Sequence, residues 1–173
     1  MATGNTLVIL TATARAGPAA TAATLDTIPG ASTPAESIPV LDFDTTTAEY
    51  VDFQCWLPSN YAGGGITLTL IWSASSATTG AVVWGAALRA VPDDAEDLDT
   101  TAFTYDYNDA SAATAPSAVG QTSQDDITFT NGADMDSVGA SSYFLLRVRR
   151  NPADAGDDMA GDAELHAVII KET

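Results

Sequence analysis

The chain has 173 residues, with 23 acidic against 6 basic side chains and a formal charge of −17 at pH 7. That length suits one domain with a sizeable core, and 46% hydrophobic content excludes a disordered acidic tail. The negative charge disfavours phosphate backbones and anionic headgroups, so neither nucleic acid nor a membrane surface is expected as a partner. No apolar run approaches the roughly 20 residues of a membrane span.

The first apolar patch, Leu7 to Leu10, has no basic residue before it and does not read as a secretory signal. The expectation is a chain made in a cytoplasm and left unprocessed. Residues 5–13 alternate with period two and predict a strand. Residues 14–39 are rich in alanine, threonine and proline, with Leu25 and Ile28 as the apolar anchors. Such a stretch builds no core of its own, so residues 1–37 are assigned to an N-terminal strand and arm, and residues 38–173 to a β-sandwich. The arm is expected to lie against its own sandwich or to lash onto neighbouring subunits.

Within residues 49–57, Val51, Phe53, Cys55 and Leu57 share one face, and Tyr50, Asp52, Gln54 and Trp56 the other. The first set predicts core. A turn at residues 58–65 leads to a strand over 66–73, with Ile66, Leu68, Leu70 and Trp72 inward. Residues 81–89 are apolar on both faces and predict a covered strand. An acidic loop follows, and alternation of Phe103, Tyr105 and Tyr107 predicts a short strand over 101–108. Residues 110–124 read as a long surface loop. Three more strands are expected over 126–130, 142–150 and 162–172. Their inward sets are Ile127 and Phe129; Phe144, Leu146 and Val148; and Leu165, Ala167 and Ile169. No helical stripe is present. The fold class is all-β, a two-sheet antiparallel sandwich of about eight strands, most simply a jelly roll, with an extended N-terminal arm.

Carboxylates cluster twice: Asp93, Asp94, Glu96, Asp97 and Asp99, then Asp154, Asp157, Asp158 and Asp162 beside Gly156 and Gly161. Oxygen ligands on glycine loops suit Ca²⁺, with the second cluster the better candidate, but neither has EF-hand spacing, and solvated loops explain both. No metal and no cofactor are expected. The one histidine, His166, would have to serve any Ser-His-Asp arrangement, yet no Gly-x-Ser-x-Gly elbow accompanies it, and a surface position is expected. Cys55 alternates with core residues and reads as an inert buried thiol; alone in the chain, it permits no internal disulfide. Phe103, Tyr105 and Tyr107, with Tyr61 in a turn, offer a sugar-stacking platform, although core cover or a subunit interface explains such alternation as well. Among the scarce cations, Arg147, Arg149 and Arg150 crowd one strand end and suit forked pairing with carboxylates across an interface, or salt bridges within the chain. Interface residues are therefore expected to be Leu25, Ile28, Arg147, Arg149 and Arg150. No catalytic signature is present, and the chain is not expected to be an enzyme.

The succession of residues 41–44, 49–53 and 57–65, then Ile71-Trp72-Ser73-Ala74 and residues 80–85, followed by residues 134–137, 144–148 and 162–165, resembles small jelly-roll virion proteins of tailed bacteriophages. The resemblance covers roughly residues 38–172 and places the chain beside capsid decoration, or cement, proteins. It implies a homotrimer on the outer capsid surface of the virion, bound to the major capsid protein and stabilising the head. The alternative is a tail-fibre or receptor-binding and carbohydrate-binding jelly-roll module. A glycan-cleaving enzyme is the third reading, and abundant carboxylates alone do not supply the required pair.

Overall fold

The computed structural model describes residues 4–173; the first three residues of the expected arm lie outside the described residues. Thirteen strand segments run in chain order among the described residues. They are β1 (Thr6–Thr11), β2 (Arg15–Ala16), β3 (Thr24–Pro29), β4 (Ser37–Phe43), β5 (Tyr50–Trp56), β6 (Ile66–Ala74), β7 (Ala81–Val82), β8 (Trp84–Ala90), β9 (Asn108–Asp109), β10 (Ala113–Thr114), β11 (Thr122–Phe129), β12 (Tyr143–Arg150) and β13 (Ala163–Glu172). One sheet has the order β11-β6-β13-β4-β3, with β1 also paired to β13; the other has the order β2-β5-β12-β8-β9. A small ladder joins β7 to β10. All these ladders are antiparallel, and the architecture is the expected two-sheet sandwich.

Inward-facing residues follow the period-two reading in β5, β6, β11 and β12. Val51, Phe53, Cys55 and Leu57, then Ile66, Leu68, Leu70 and Trp72, then Ile127, Phe129, Phe144, Leu146 and Val148 are all buried in one cluster. Aromatic edges lock the two sheets together. Trp84 of one sheet meets Phe43 of the other edge-on at 5.1 Å between centroids, and Trp72 at 6.0 Å. Contacts of this geometry add about 0.5–1.5 kcal/mol each beyond area burial.

In β13 the expected inward set changes partway along. Leu165 is buried, but beyond it Val168 and Ile170 fill the core in place of Ala167 and Ile169. A bulge between Leu165 and Ala167, at His166, inserts one extra residue against β6 and reverses the facing of everything after it. The bulge also divides the other side of β13, which takes β4 along Ala163 to Leu165 and β1 along Ala167 to Lys171.

Three strands of the arm are hydrogen-bonded into the sandwich. β1 pairs with β13, β2 with β5, and β3 with β4, so the segment expected as 1–37 supplies strands to both sheets. Leu25 stands opposite Leu41, and Ile28 opposite Ile38, within the β3–β4 hairpin. Only Leu41, Asp42 and Phe43 of β4 reach β13, so the rest of that hairpin extends past the sheet. Leu25 and Ile38 are each 43% exposed.

The strand expected over 101–108 does not form. Residues 101–106 belong to no strand, and pairing begins only at β9. Strand 81–89 is interrupted at Val83, where the backbone N–H turns to donate to Asp157 Oδ2 at 3.0 Å. The loop expected over 110–124 contains β10 and the first residues of β11.

Candidate functional site

The outer face of the β2-β5-β12-β8-β9 sheet carries the chemistry that the inner faces lack. Its residues are the alternates of the core set: Tyr50, Asp52, Gln54 and Trp56 on β5, Tyr143, Leu145, Arg147 and Arg149 on β12, and Gly85, Ala87 and Arg89 on β8. Strand register fixes their neighbours, putting Arg147 beside Asp52 and Ala87, Arg149 beside Tyr50 and Gly85, and Tyr143 beside Trp56. Small residues on β8 leave room for the two arginines. A Cβ on Gly85 would meet Asp109 Oδ1 and come 2.8 Å from Arg149 Nε.

Residues 91–107 cross this face as a strap. Every second residue from 101 to 107 is partly buried and the intervening ones are exposed, which is the alternation seen in the sequence. Here the period of two comes from stacking on a face rather than from pairing along an edge. Arg89 lies 5.3 Å from the Phe103 centroid, Arg147 4.1 Å from that of Tyr105, and Arg149 3.9 Å from that of Tyr107. Burial raises the phenol pKa of Tyr105 and Tyr107, against the lowering pull of the arginines. The expected sugar-stacking platform of Phe103, Tyr105 and Tyr107 is thus engaged by the protein's own cations. Tyr61 is only 5% exposed and donates its hydroxyl hydrogen to Gly64 O.

The arginines expected at an interface are all bonded within the chain. Arg147 holds Asp52 in a fork, with Nε–Oδ1 at 2.6 Å and Nη2–Oδ2 at 2.7 Å, and these bonds raise its pKa. Arg149 reaches both oxygens of Asp109 at 3.0 Å. Arg150 corrects the expectation outright, because its side chain has no exposure. It shares the inward parity of Phe144, Leu146 and Val148, pairs with Asp157 and donates to Gly161 O and Met159 O. Leu25 and Ile28 are more accessible, on the hairpin described above.

At the end of β5, bordered by the first part of the strap, lies a cleft of about 1010 Å³. Trp56, 58% exposed, lines it next to Tyr143. One wall is the acidic loop, with Asp93, Asp94, Glu96 and Leu98; the other is the turn carrying Asp136, Ser137, Ser141 and Ser142. Buried Met135 and Val138 anchor that turn in the core. Arg89 ties the two walls together behind the cleft, with Nη2 2.6 Å from Glu96 Oε1 and Nη1 3.0 Å from Asp136 Oδ2. Asp136 Oδ2 also accepts from the Ala90 N–H at 2.8 Å.

Backbone strain concentrates at the same place. Of the five non-glycine residues with positive φ among the described residues, four line this cleft: Asp94 (55°), Asp136 (49°), Ser137 (60°) and Ser141 (59°). Such conformations cost of order 1 kcal/mol each and gather where a surface is shaped for contact. Sequence reasoning placed Trp56 on the outward face without singling it out as a site. A large ring at an outward strand end, just before the Pro58-Ser59-Asn60 turn, was the available signal.

The other candidates are structural. Asp154, Asp157, Asp158 and Asp162 accept hydrogen bonds from Gly156 N, Val83 N, Ala81 N and Thr45 N respectively. Among the described residues no group of three or more His, Cys, Asp or Glu is placed to hold a metal ion. His166 is partly buried at the bulge, where a surface position was expected, and its Nε2 is 2.9 Å from Ser73 Oγ. The Ser73 hydroxyl donates to Glu164 Oε2 at 2.6 Å, so the imidazole nitrogen must be the donor toward Ser73. That polarity is the reverse of a serine nucleophile with its base, and Ser73 is fully buried. Burial also lowers the His166 pKa, against the raising pull of Glu164.

No family model matches the chain, and no curated protein does. Among solved structures it is similar to the CBM22-2 xylan-binding domain of Paenibacillus barcinonensis Xyn10C, with a TM-score of 0.56 and 11% identity over 96% of this chain and 99% of that one. It is also similar to the Clostridium thermocellum xylanase 10B CBM22-1–GH10 structure, with a TM-score of 0.51 and 7% identity, covering 100% of this chain and 29% of the larger protein. At these identities the likeness is one of fold, a β-sandwich shared with carbohydrate-binding modules.

Proposed function

We propose that this domain is a non-catalytic carbohydrate-binding module that holds a glycan in the Trp56 cleft. The observation that carries the reading is an exposed tryptophan lining one cleft together with carboxylates and serine hydroxyls. A flat indole face covers the apolar face of a sugar ring, while carboxylate and hydroxyl oxygens accept from the ring hydroxyls around it. The cleft's volume is at the upper end of the roughly 300–1,000 Å³ of small-ligand sites. Support comes also from the fold shared with a xylan-binding domain. Electrophoresis through gels containing soluble polysaccharides tests the reading. Retardation by at least one polymer is expected, and Trp56→Ala should weaken it by about 30-fold, the effect of removing a central aromatic anchor. Retardation unchanged in Trp56→Ala would remove the cleft from the proposal.

A second reading, decoration of a bacteriophage capsid as a homotrimer bound to the major capsid protein, draws on a different surface. The β3–β4 hairpin extends past its sheet with Leu25 and Ile38 exposed, and such a projection suits contact with a neighbouring subunit. Binding only to the assembled shell would stabilise that shell by linkage. Co-sedimentation with undecorated heads, lost in a Leu25→Asp/Ile38→Asp variant, is the outcome this reading requires.

A further inference from the structure

Resting on the Trp56 cleft as a glycan site, we infer a selectivity built into its walls: it takes uncharged glycans and rejects chains bearing carboxylate or sulfate groups. Asp93, Asp94, Glu96 and Asp136 line the cleft, and among the described residues no lysine, arginine or histidine does. The nearest cation is Arg89, and its guanidinium is bound to Glu96 and Asp136 and packed on the Phe103 ring. Arg147 and Arg149, the other arginines of the same sheet face, are closed off in the same manner. Arg147 is forked onto Asp52 beneath Tyr105, and Arg149 is held on Asp109 beneath Tyr107. An anionic sugar laid across Trp56 therefore meets carboxylates on both walls and no free guanidinium along the face.

Neutral hydroxyls have the opposite relation to these walls. Each is a hydrogen-bond donor, and an ionised carboxylate is an acceptor with several lone-pair sites, so the groups that repel an anion are the ones that orient a neutral sugar. Glu96 and Asp136 are partly neutralised by Arg89, which leaves Asp93 and Asp94 as the uncompensated charges. They set the strength of the rejection. The net charge of −17 adds a long-range term that keeps anionic polymers away before contact.

The experiment compares binding of the full chain to neutral polymers (unsubstituted xylan, mixed-linkage β-glucan, galactomannan) and to polygalacturonate and alginate, by affinity electrophoresis and calorimetry at low and at 0.5 M salt. At least one neutral polymer should bind ten-fold or more tightly than either acidic one, in a manner lost in Trp56→Ala. An Asp93→Asn/Asp94→Asn variant loses acceptor sites for neutral hydroxyls and the repulsion of anions together, so neutral binding should weaken, acidic binding should strengthen and the gap should narrow several-fold; salt should narrow it in the parent chain. Equal or tighter binding of polygalacturonate, dependent on Trp56, overturns the selectivity and leaves the glycan site standing. Silence toward every polymer overturns the glycan reading itself and the selectivity with it. Thermal melts of both variants distinguish lost binding from lost fold.

Discussion

Arg150 and Asp157 meet at 2.7 Å with side-chain exposures of 0% and 1%, whereas Arg147 and Asp52, at 2.6 Å, keep 22% and 18%. Two arginines of one strand, each paired with an aspartate from elsewhere in the chain, thus make one pair sealed in the core and one at the surface. Removing a partner from the sealed pair strands a charge away from water. Asp157→Ala should therefore cost about 3–5 kcal/mol, against about 1 kcal/mol or less for Asp52→Ala. Denaturant unfolding of the two variants checks the ratio, and equal losses would contradict the burial difference.

Asp42 is a source of instability near neutral pH. It stands opposite Glu164 across the β4–β13 ladder, and its Oδ1 is buried without a hydrogen-bond partner. Burial, then the charge of Glu164, raises its pKa from 3.8 to about 6. The folded state thus holds this proton more tightly than the unfolded chain. Its contribution favours folding below about pH 4 and is lost as pH rises through about 6. Asp42→Asn should stabilise the protein at pH 7 by about 1–2 kcal/mol, after allowance for solvent screening, and change little at pH 4. Melting temperatures at the two pH values decide it.

Cys55 is 3% exposed in the core, and burial pushes its thiol up to about 12. It should be silent to thiol reagents in the native protein. Labelling is expected at a rate set by unfolding, rising steeply with denaturant. Rapid labelling under native conditions would contradict the packing.

The strap is held by side chains over its aromatic stretch, so weakening a stack should loosen it locally. Tyr105→Ala removes the ring over Arg147 and should cost about 1 kcal/mol or slightly more, with faster proteolytic cleavage within residues 91–107. Cleavage unchanged from the parent would show that the stack is not what secures the strap.

Gly85→Ala addresses the same face from below. The added methyl would enter the space of Asp109 Oδ1 and Arg149 Nε. A loss of about 1–3 kcal/mol is expected from overpacking. In an Asp109→Ala background the loss should shrink, a coupling that a double-mutant cycle measures.

Several of these features were legible in the residues alone. Alternation in β5, β6 and β12 identified their core faces, because a buried sheet face demands an apolar residue at every second position. The same alternation at Phe103, Tyr105 and Tyr107 misled, since period two describes any extended chain lying on a surface. It does not distinguish hydrogen bonding along an edge from ring stacking over arginines. Arg150 carried inward parity with Val148, yet its charge argued for the surface; only the arrival of Asp157 from the following loop made burial affordable.

By itself, the sequence determined the all-β class, most of the core and the sign of the surface charge, because these follow from local periodicity and composition. Tertiary structure alone decided the bulge at His166, the closure of the arm into both sheets, the burial of Arg150 and the joining of residues 93–98, 136–142 and Trp56 into one cleft. These depend on which distant segments meet. Meeting is set by strand register and by the pairing of charges far apart in the chain, such as Arg89 with Asp136, and no local pattern encodes it.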